Sequence, residues 1–177
     1  MSKRKIEITC WRTGRVLFAH EAEDNTARIT VEAAVKDGVS LAGAYLPWVN
    51  LAWADLAGVN LAGARMEGAN LPWADLTEAD LTEVYMPWAN LAGANMVRAN
   101  LADADLDRAN LARANLPWAN LARANLAGAN VDGANLSLTH LSRANLARVN
   151  LAGANVDGTY LAQLEDAQRW QEVRGGA

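Results

Sequence analysis

The sequence predicts an all-β solenoid whose backbone turns a corner every five residues. Three observations predict it: an apolar residue recurs at every fifth position from 41 to 161, a small residue precedes it by two positions, and Pro or Gly often follows it. In an α-helix a five-residue period would place successive leucines about 140° apart, and in a flat strand they would alternate between faces. The leucines therefore share one interior only if the chain turns once per repeat.

Pro and Gly fall at the two central positions of the predicted turns. With each Leu as the first turn residue, Pro follows it at four turns, and Gly occupies the next position at nine others. Pro followed by Gly is typical of type II turns, because Pro presets φ and Gly supplies a positive φ. Trp follows all four prolines, and a bulky residue resists a positive φ. We therefore expect type I or irregular turns at Trp48, Trp73, Trp88 and Trp118.

Four corners of about 90° would close one coil of twenty residues. Reading every twentieth residue gives an unbroken asparagine column: Asn50, Asn70, Asn90, Asn110, Asn130 and Asn150. About six coils at the usual strand spacing of about 4.8 Å would form a rod roughly 30 Å long. Its interior would be narrow, which explains why the second inward residue of each repeat is small.

The repeat A-(N/D)-L-x-x resembles the pentapeptide-repeat family. It is clearest in 89–93 (Ala-Asn-Leu-Ala-Gly) and in 109–113 (Ala-Asn-Leu-Ala-Arg), and it covers about 125 of the 177 residues. The resemblance implies a right-handed quadrilateral β-helix. It implies little about function, because most members have no assigned role. The best-understood members are bacterial proteins that bind DNA gyrase or topoisomerase IV as duplex mimics.

The segments that flank the repeats are predicted to cap the solenoid. Residues 6–10 and 16–20 alternate in polarity around Thr13 and Gly14, which predicts a β-hairpin, and residues 27–37 predict a short helix before Gly38. After residue 160 apolar residues recur every three positions, which predicts a terminal helix. The predicted domains are an N-terminal cap (1–38), a β-helix (39–160) and a C-terminal capping helix with tail (161–177). The resemblance also permits a homodimer through that last helix.

Composition and charge exclude several classes of function. Sixteen basic against twenty acidic residues give a net charge of −4, which predicts no general affinity for nucleic acid. No stretch approaches the apolar length of a membrane span. The single cysteine, Cys10, permits no internal disulfide, and a reducing, cytoplasmic location fits this composition.

No residue pattern in the sequence is typical of an enzyme. Neither His20 nor His140 has a Cys or acidic neighbour at metal-ligand spacing, and the glycines fall at predicted corners instead of a phosphate-binding loop. We expect Cys10 to be a half-buried hairpin residue, because nothing nearby in sequence would lower its pKa. We therefore predict a non-enzymatic protein with no catalytic residue, cofactor or metal.

Outward aromatic residues of the first half form a predicted partner surface. Trp, Tyr and Arg dominate the energetics of protein interfaces. At the twenty-residue period, Trp48 and Trp88 fall on one face, and Trp53 and Trp73 fall on the next. The aromatic surface comprises Tyr45, Trp48, Arg65, Tyr85, Trp88, Trp53 and Trp73. The alternative interpretation is that each Trp only covers a corner of the coil.

Acidic residues of the first half form a second candidate. The acidic corner comprises Asp55, Asp75, Glu78, Asp80, Glu83 and Asp103. A 30 Å length of B-DNA carries roughly eighteen charges. The repeats carry eleven acidic residues against seven Arg, so their charge density does not support wholesale duplex mimicry.

These patterns predict a protein–protein interaction module with an unknown protein partner, no direct contact with nucleic acid and no membrane association. Two alternatives stay open. One is a DNA-mimicking modulator of DNA gyrase or topoisomerase IV, which the family resemblance suggests. The other is a purely structural or engineered rod, which the near-perfect repeat suggests.

Overall fold

The chain begins with a hairpin and a helix. The computed structural model describes residues 3–160. Strand β1 (Arg4–Thr9) pairs antiparallel with strand β2 (Val16–Ala22), and helix α1 spans Ala27–Lys36. Thr26 caps α1, because its side-chain oxygen accepts the Ile29 N–H at 3.2 Å. Gly38 follows the helix with a φ of +66°, which ends it and turns the chain into the repeats.

The repeats form a coil with a period of twenty residues. Parallel bridges join residues twenty positions apart along the whole array, as in Asn50 with Asn70 and Asn70 with Asn90. Nearly every repeat closes a turn in which the carbonyl of its Leu, Met or Val accepts the N–H three residues later, for example Leu91 and Ala94 at 3.0 Å. Four such turns per period make the coil four-sided, as the sequence predicts.

The corners share one backbone conformation whatever residue occupies them. From residue 43 to residue 158 the second central residue of every turn has a positive φ, and fifteen of these residues are not glycine. Trp48, Trp73, Trp88 and Trp118 have φ values between 56° and 63°, so the expectation of type I or irregular turns at these positions is wrong. Backbone bonds to the next coil impose the shared turn, because the N–H of Trp48 itself donates to the Glu67 carbonyl at 2.9 Å.

The interior of the coil is a continuous core of Leu and Ala columns. Leu91 and Ala94 are fully buried, whereas Leu146, Leu151 and Val156 at the C-terminal end of the described coil are only partly buried. Val31 of α1 joins this core from the N-terminal end.

The chain around the hairpin also bonds to the first coil. The Tyr45 N–H donates to the Thr9 carbonyl at 2.8 Å, and the Trp11 N–H donates to the Gly43 carbonyl at 3.0 Å. These bonds occupy backbone groups that an open first coil would expose. The terminal helix predicted over 161–177, and with it the predicted homodimer contact, lies outside the described residues.

Candidate interaction surface

Two adjoining sides of the coil carry the residues of the aromatic surface. The Asn face is the column Asn50, Asn70, Asn90, Asn110, Asn130 and Asn150. The Tyr face is the column Tyr45, Arg65, Tyr85, Asp105, Asn125 and Asn145. The two faces meet at the corner that contains Trp48 and Trp88, since these residues lie between the two columns in sequence.

Side-chain hydrogen bonds between coils make the Asn face a continuous row of amide groups, which we call the amide floor. The Nδ2 of Asn70 donates to the Oδ1 of Asn50 at 3.0 Å, and the Nδ2 of Asn90 donates to the Oδ1 of Asn70 at 2.9 Å. The same pattern continues to Asn150. Because each amide nitrogen carries two hydrogens and uses one in the ladder, each coil retains one N–H for an external acceptor.

Tryptophans border the first half of the Asn face on both sides. Trp48 and Trp88 lie on one of its corners, and Trp53 and Trp73 lie on the other. The sequence spacing assigned these two pairs to separate faces, whereas in the structure both pairs border the same face. Their exposed fractions lie between 51% and 70%, so large apolar areas face the solvent.

Trp48, Trp53 and Trp73 each lie over the corner of the following coil. A Cβ atom on Gly68 would come within 2.2 Å of the Trp48 ring, and one on Gly93 would come within 2.5 Å of the Trp73 ring. Trp53 stacks on Trp73 with ring centroids 5.6 Å apart and planes inclined by 13°. Packing on the glycine corners therefore orients Trp48 and Trp73 and leaves part of each indole exposed.

Gly68→Ala is expected to displace the Trp48 indole. Gly58 has a φ of +68°, close to the +63° of Gly68, but a Cβ on Gly58 meets no atom within 4 Å. Both alanines bear a similar backbone strain, of about 1 kcal/mol, so the difference between the two variants isolates the indole contact. We expect Gly68→Ala to unfold at lower denaturant and to shift the tryptophan emission, and Gly58→Ala to leave the emission unchanged. Equal emission spectra would contradict the packing of Trp48 on Gly68.

The Tyr face contains a stack that the sequence analysis missed. The Arg65 guanidinium lies 4.7 Å from the Trp11 ring and 5.1 Å from the Tyr85 ring. The Nε1 of Trp11 donates to the Gly63 carbonyl at 2.9 Å, which holds the hairpin loop against the second coil. Trp11 was missed because its position in a hairpin turn does not indicate how far the loop reaches. Arg65 is therefore oriented between two rings before any partner binds.

The residues of the acidic corner are distributed over two faces and two corners. Glu78 pairs with Arg98 at 3.4 Å, and Asp103 pairs with Arg123 at 2.5 Å. Asp75 and Asp80 accept the hydroxyls of Thr77 and Thr82. Asp55 shares the column of Asp75, and Glu83 lies on the corner of Asp103.

The Asp103–Arg123 pair gives stability a pH dependence of known sign. The hydrogen bond from Arg123 holds the pKa of Asp103 below its ordinary value. A lowered carboxyl pKa contributes stability that is present above the unfolded pKa and is lost as the pH falls through the folded pKa. Because the pair is exposed, its contribution is small.

Cys10 has a lowered pKa, contrary to the sequence-based expectation. Hydrogen bonds from the Thr13 hydroxyl and from the backbone of Thr13 and Arg12 favour the thiolate. These groups come within reach because the hairpin turn folds back on Cys10. Thr13→Val is expected to raise this pKa and slow alkylation by iodoacetamide at neutral pH, whereas Arg12→Gln should have the smaller effect. An unchanged rate in Thr13→Val would contradict the assignment.

Within residues 3–160 no cluster of three His, Cys, Asp or Glu side chains is arranged to hold a metal ion. In the same part of the chain, no helix has both the length and the apolar character needed to cross a membrane.

The period, corners and buried columns define a four-sided β-solenoid. A family model described as pentapeptide repeats matches eight copies over residues 44–82, 86–122 and 119–158. The chain belongs to the pentapeptide repeat family, whose members fold as right-handed quadrilateral β-helices.

Similar solved structures come from the same family. Rfr23 from the cyanobacterium Cyanothece 51142 is 33% identical, over 70% of this chain and 88% of Rfr23, with a TM-score of 0.40. A pentapeptide repeat protein from the Arabidopsis thaliana thylakoid lumen is 25% identical, over 62% and 74%, with a TM-score of 0.49. QnrB1, a plasmid-mediated fluoroquinolone resistance protein, is 15% identical, over 77% and 90%, with a TM-score of 0.40. No match was found among curated proteins.

Proposed function

We propose that this chain is a non-enzymatic scaffold that binds a protein partner through the aromatic surface. The observation that carries the proposal is the arrangement of four exposed tryptophans on both corners of the Asn face, next to the Trp11–Arg65–Tyr85 stack. Trp, Tyr and Arg are the residue types that contribute most to binding energy at protein interfaces.

The rigidity of the coil supports the same function. Trp48 and Trp73 are oriented by the glycine corners beneath them, and Arg65 is held between two rings. Side chains that are already ordered lose less conformational entropy when a partner binds. Such a surface favours a partner that docks on the outside of the coil without remodelling it.

Trp48→Ala combined with Trp88→Ala is expected to reduce capture of the partner from a lysate by about tenfold or more. Circular dichroism should stay that of the unchanged chain, because both side chains lie outside the core. The matched control is the single variant Trp118→Ala, compared with the single variant Trp88→Ala. Both residues follow Pro, precede Ala-Asn and have a positive φ. Trp118 lies on a corner that does not border the Asn face, and its removal should leave capture unchanged.

Mass spectrometry of the captured proteins provides the measurement. Equal capture by the double variant and the unchanged chain would contradict the proposal and favour a purely structural rod. Equal loss in Trp118→Ala would show that general exposure of tryptophan, and not the aromatic surface, causes the capture.

DNA gyrase or topoisomerase IV as the partner is the alternative suggested by the family resemblance. The acidic corner gives it little support, because Glu78 and Asp103 are each paired with an arginine. A gyrase supercoiling assay with micromolar protein, with and without a quinolone, tests it directly. Unchanged supercoiling would exclude gyrase modulation and leave the scaffold proposal intact.

A further inference from the structure

The Asn face changes its chemistry along its length. On one corner Arg108 and Arg148 continue the column of Trp48 and Trp88, and on the other Arg113 continues the column of Trp53 and Trp73. The same amide floor is therefore bordered by indoles in its first half and by guanidinium groups in its second half.

Arg108 and Arg113 lie over glycine corners, as Trp48 and Trp73 do. The Cγ of Arg108 lies 3.3 Å from the position that a Cβ on Gly128 would take, and the Cγ of Arg113 lies 3.6 Å from that on Gly133. These two side chains therefore flank the floor on opposite sides. Arg108 stays 68% exposed although it lies 3.7 Å from Asp107, and Arg113 and Arg148 are also exposed.

The length of the floor fits an extended peptide. From Asn50 to Asn150 the column crosses five coil spacings, about 24 Å, which about seven residues of extended chain would span. The remaining amide N–H of each Asn can donate to a backbone carbonyl of that chain. Guanidinium groups bind carboxylates in a bidentate geometry, and indoles pack on proline or aromatic side chains.

We propose that the Asn face binds an extended acidic segment of a protein partner, with apolar residues between the tryptophans and carboxylates between the arginines. This inference rests on the proposed function and names the class of its partner. Asp107 and Asp132 also lie at corners of the arginine half, so Arg108, Arg113 and Arg148 leave that half with one net positive charge. Glu67 lies at a corner of the tryptophan half. A nucleic acid strand would bring a negative charge to Glu67 as well, so the observations favour a peptide whose carboxylates are confined to the arginine end.

Selection of random peptides from a display library on the immobilised full-length chain tests the proposal. Enriched sequences are expected to combine Pro or aromatic residues with Asp or Glu at one end. A fluorescein-labelled synthetic copy of the enriched peptide is then titrated with the unchanged chain and with the Arg113→Glu/Arg148→Glu variant. The Kd of the variant should be higher by about tenfold or more. Binding to the unchanged chain should weaken as the salt concentration increases. Glu78 and Glu83 already occupy equivalent corners at positive φ, so glutamate is compatible with the fold there.

The matched control is Arg98→Glu/Arg143→Glu, which changes the net charge equally on corners that do not border the Asn face. Its Kd should stay within about twofold of that of the unchanged chain. Equal weakening in both double variants would overturn the proposal, as would a neutral or basic set of enriched peptides. It would also be overturned if labelled oligothymidylate bound through Arg113 and Arg148 while acidic peptides did not.

The tryptophan and arginine variants separate the two proposals. If Trp48→Ala/Trp88→Ala abolishes partner capture but Arg113→Glu/Arg148→Glu has no effect on it, the scaffold function stands and the acidic segment is excluded. If the tryptophan variant has no effect either, the scaffold function fails.

Discussion

Leu91→Ala is expected to lower the free energy of unfolding by about 3 kcal/mol. Leu91 is fully buried in the middle of the coil, and the Leu columns above and below it are fixed by the backbone bonds between coils. The surrounding side chains therefore cannot collapse into the space that the substitution leaves. The loss combines the transfer free energy of the removed carbons with the cost of the remaining cavity.

Leu151→Ala provides the matched control in the same column. Leu151 lies near the C-terminal end of the described coil and is only partly buried, so its removal should cost about 1 kcal/mol. Urea denaturation followed by circular dichroism measures both variants. Equal losses would contradict a core whose burial decreases towards the C-terminal end of the described coil.

The arrangement of the core could be predicted from the sequence because it depends on periodicity alone. A five-residue apolar repeat requires one turn per repeat, and the column of Asn50 and Asn70 fixes the coil at twenty residues. Backbone bonds between coils repeat at the same interval, so a one-residue slip would expose the leucines. The hairpin and helix were predictable for a similar reason, since alternating polarity and a Gly after the helix are local signals.

The conformation of the corners could not be predicted from local preferences. A tryptophan at positive φ is unfavourable in isolation, but at Trp48 the bonds to the next coil and the packing on Gly68 compensate for it. Residue spacing alone also placed Trp48 and Trp53 on separate faces, because it does not show that corner side chains border two faces. The Trp11 stack and the lowered pKa of Cys10 both depend on the path of the hairpin loop, which no sequence pattern fixes.

Ala94→Leu is expected to destabilise the chain by about 3 kcal/mol, at the upper end of the usual cost of overpacking. Ala94 is fully buried, and Ala74 and Ala114, the residues directly above and below it, are buried alanines as well. The added carbons have no space unless the coils separate, which would stretch the bonds between coils, such as that from the Asn95 N–H to the Ala74 carbonyl, now 2.9 Å long. Because each coil is bonded to its neighbours, the strain cannot be relieved locally.

Ala92→Leu is the control for this substitution, since it adds the same carbons at a partly exposed corner position two residues earlier. It should change the free energy of unfolding by less than about 0.5 kcal/mol. Ala94→Val should fall between the two, because Val84 is fully buried at the equivalent position of another column. If Ala94→Leu were as stable as the unchanged chain, the interior would hold spare volume, and the same spare volume would reduce the expected cost of Leu91→Ala. The two substitutions therefore test one property, a tube that the Leu and Ala columns fill completely, from opposite directions.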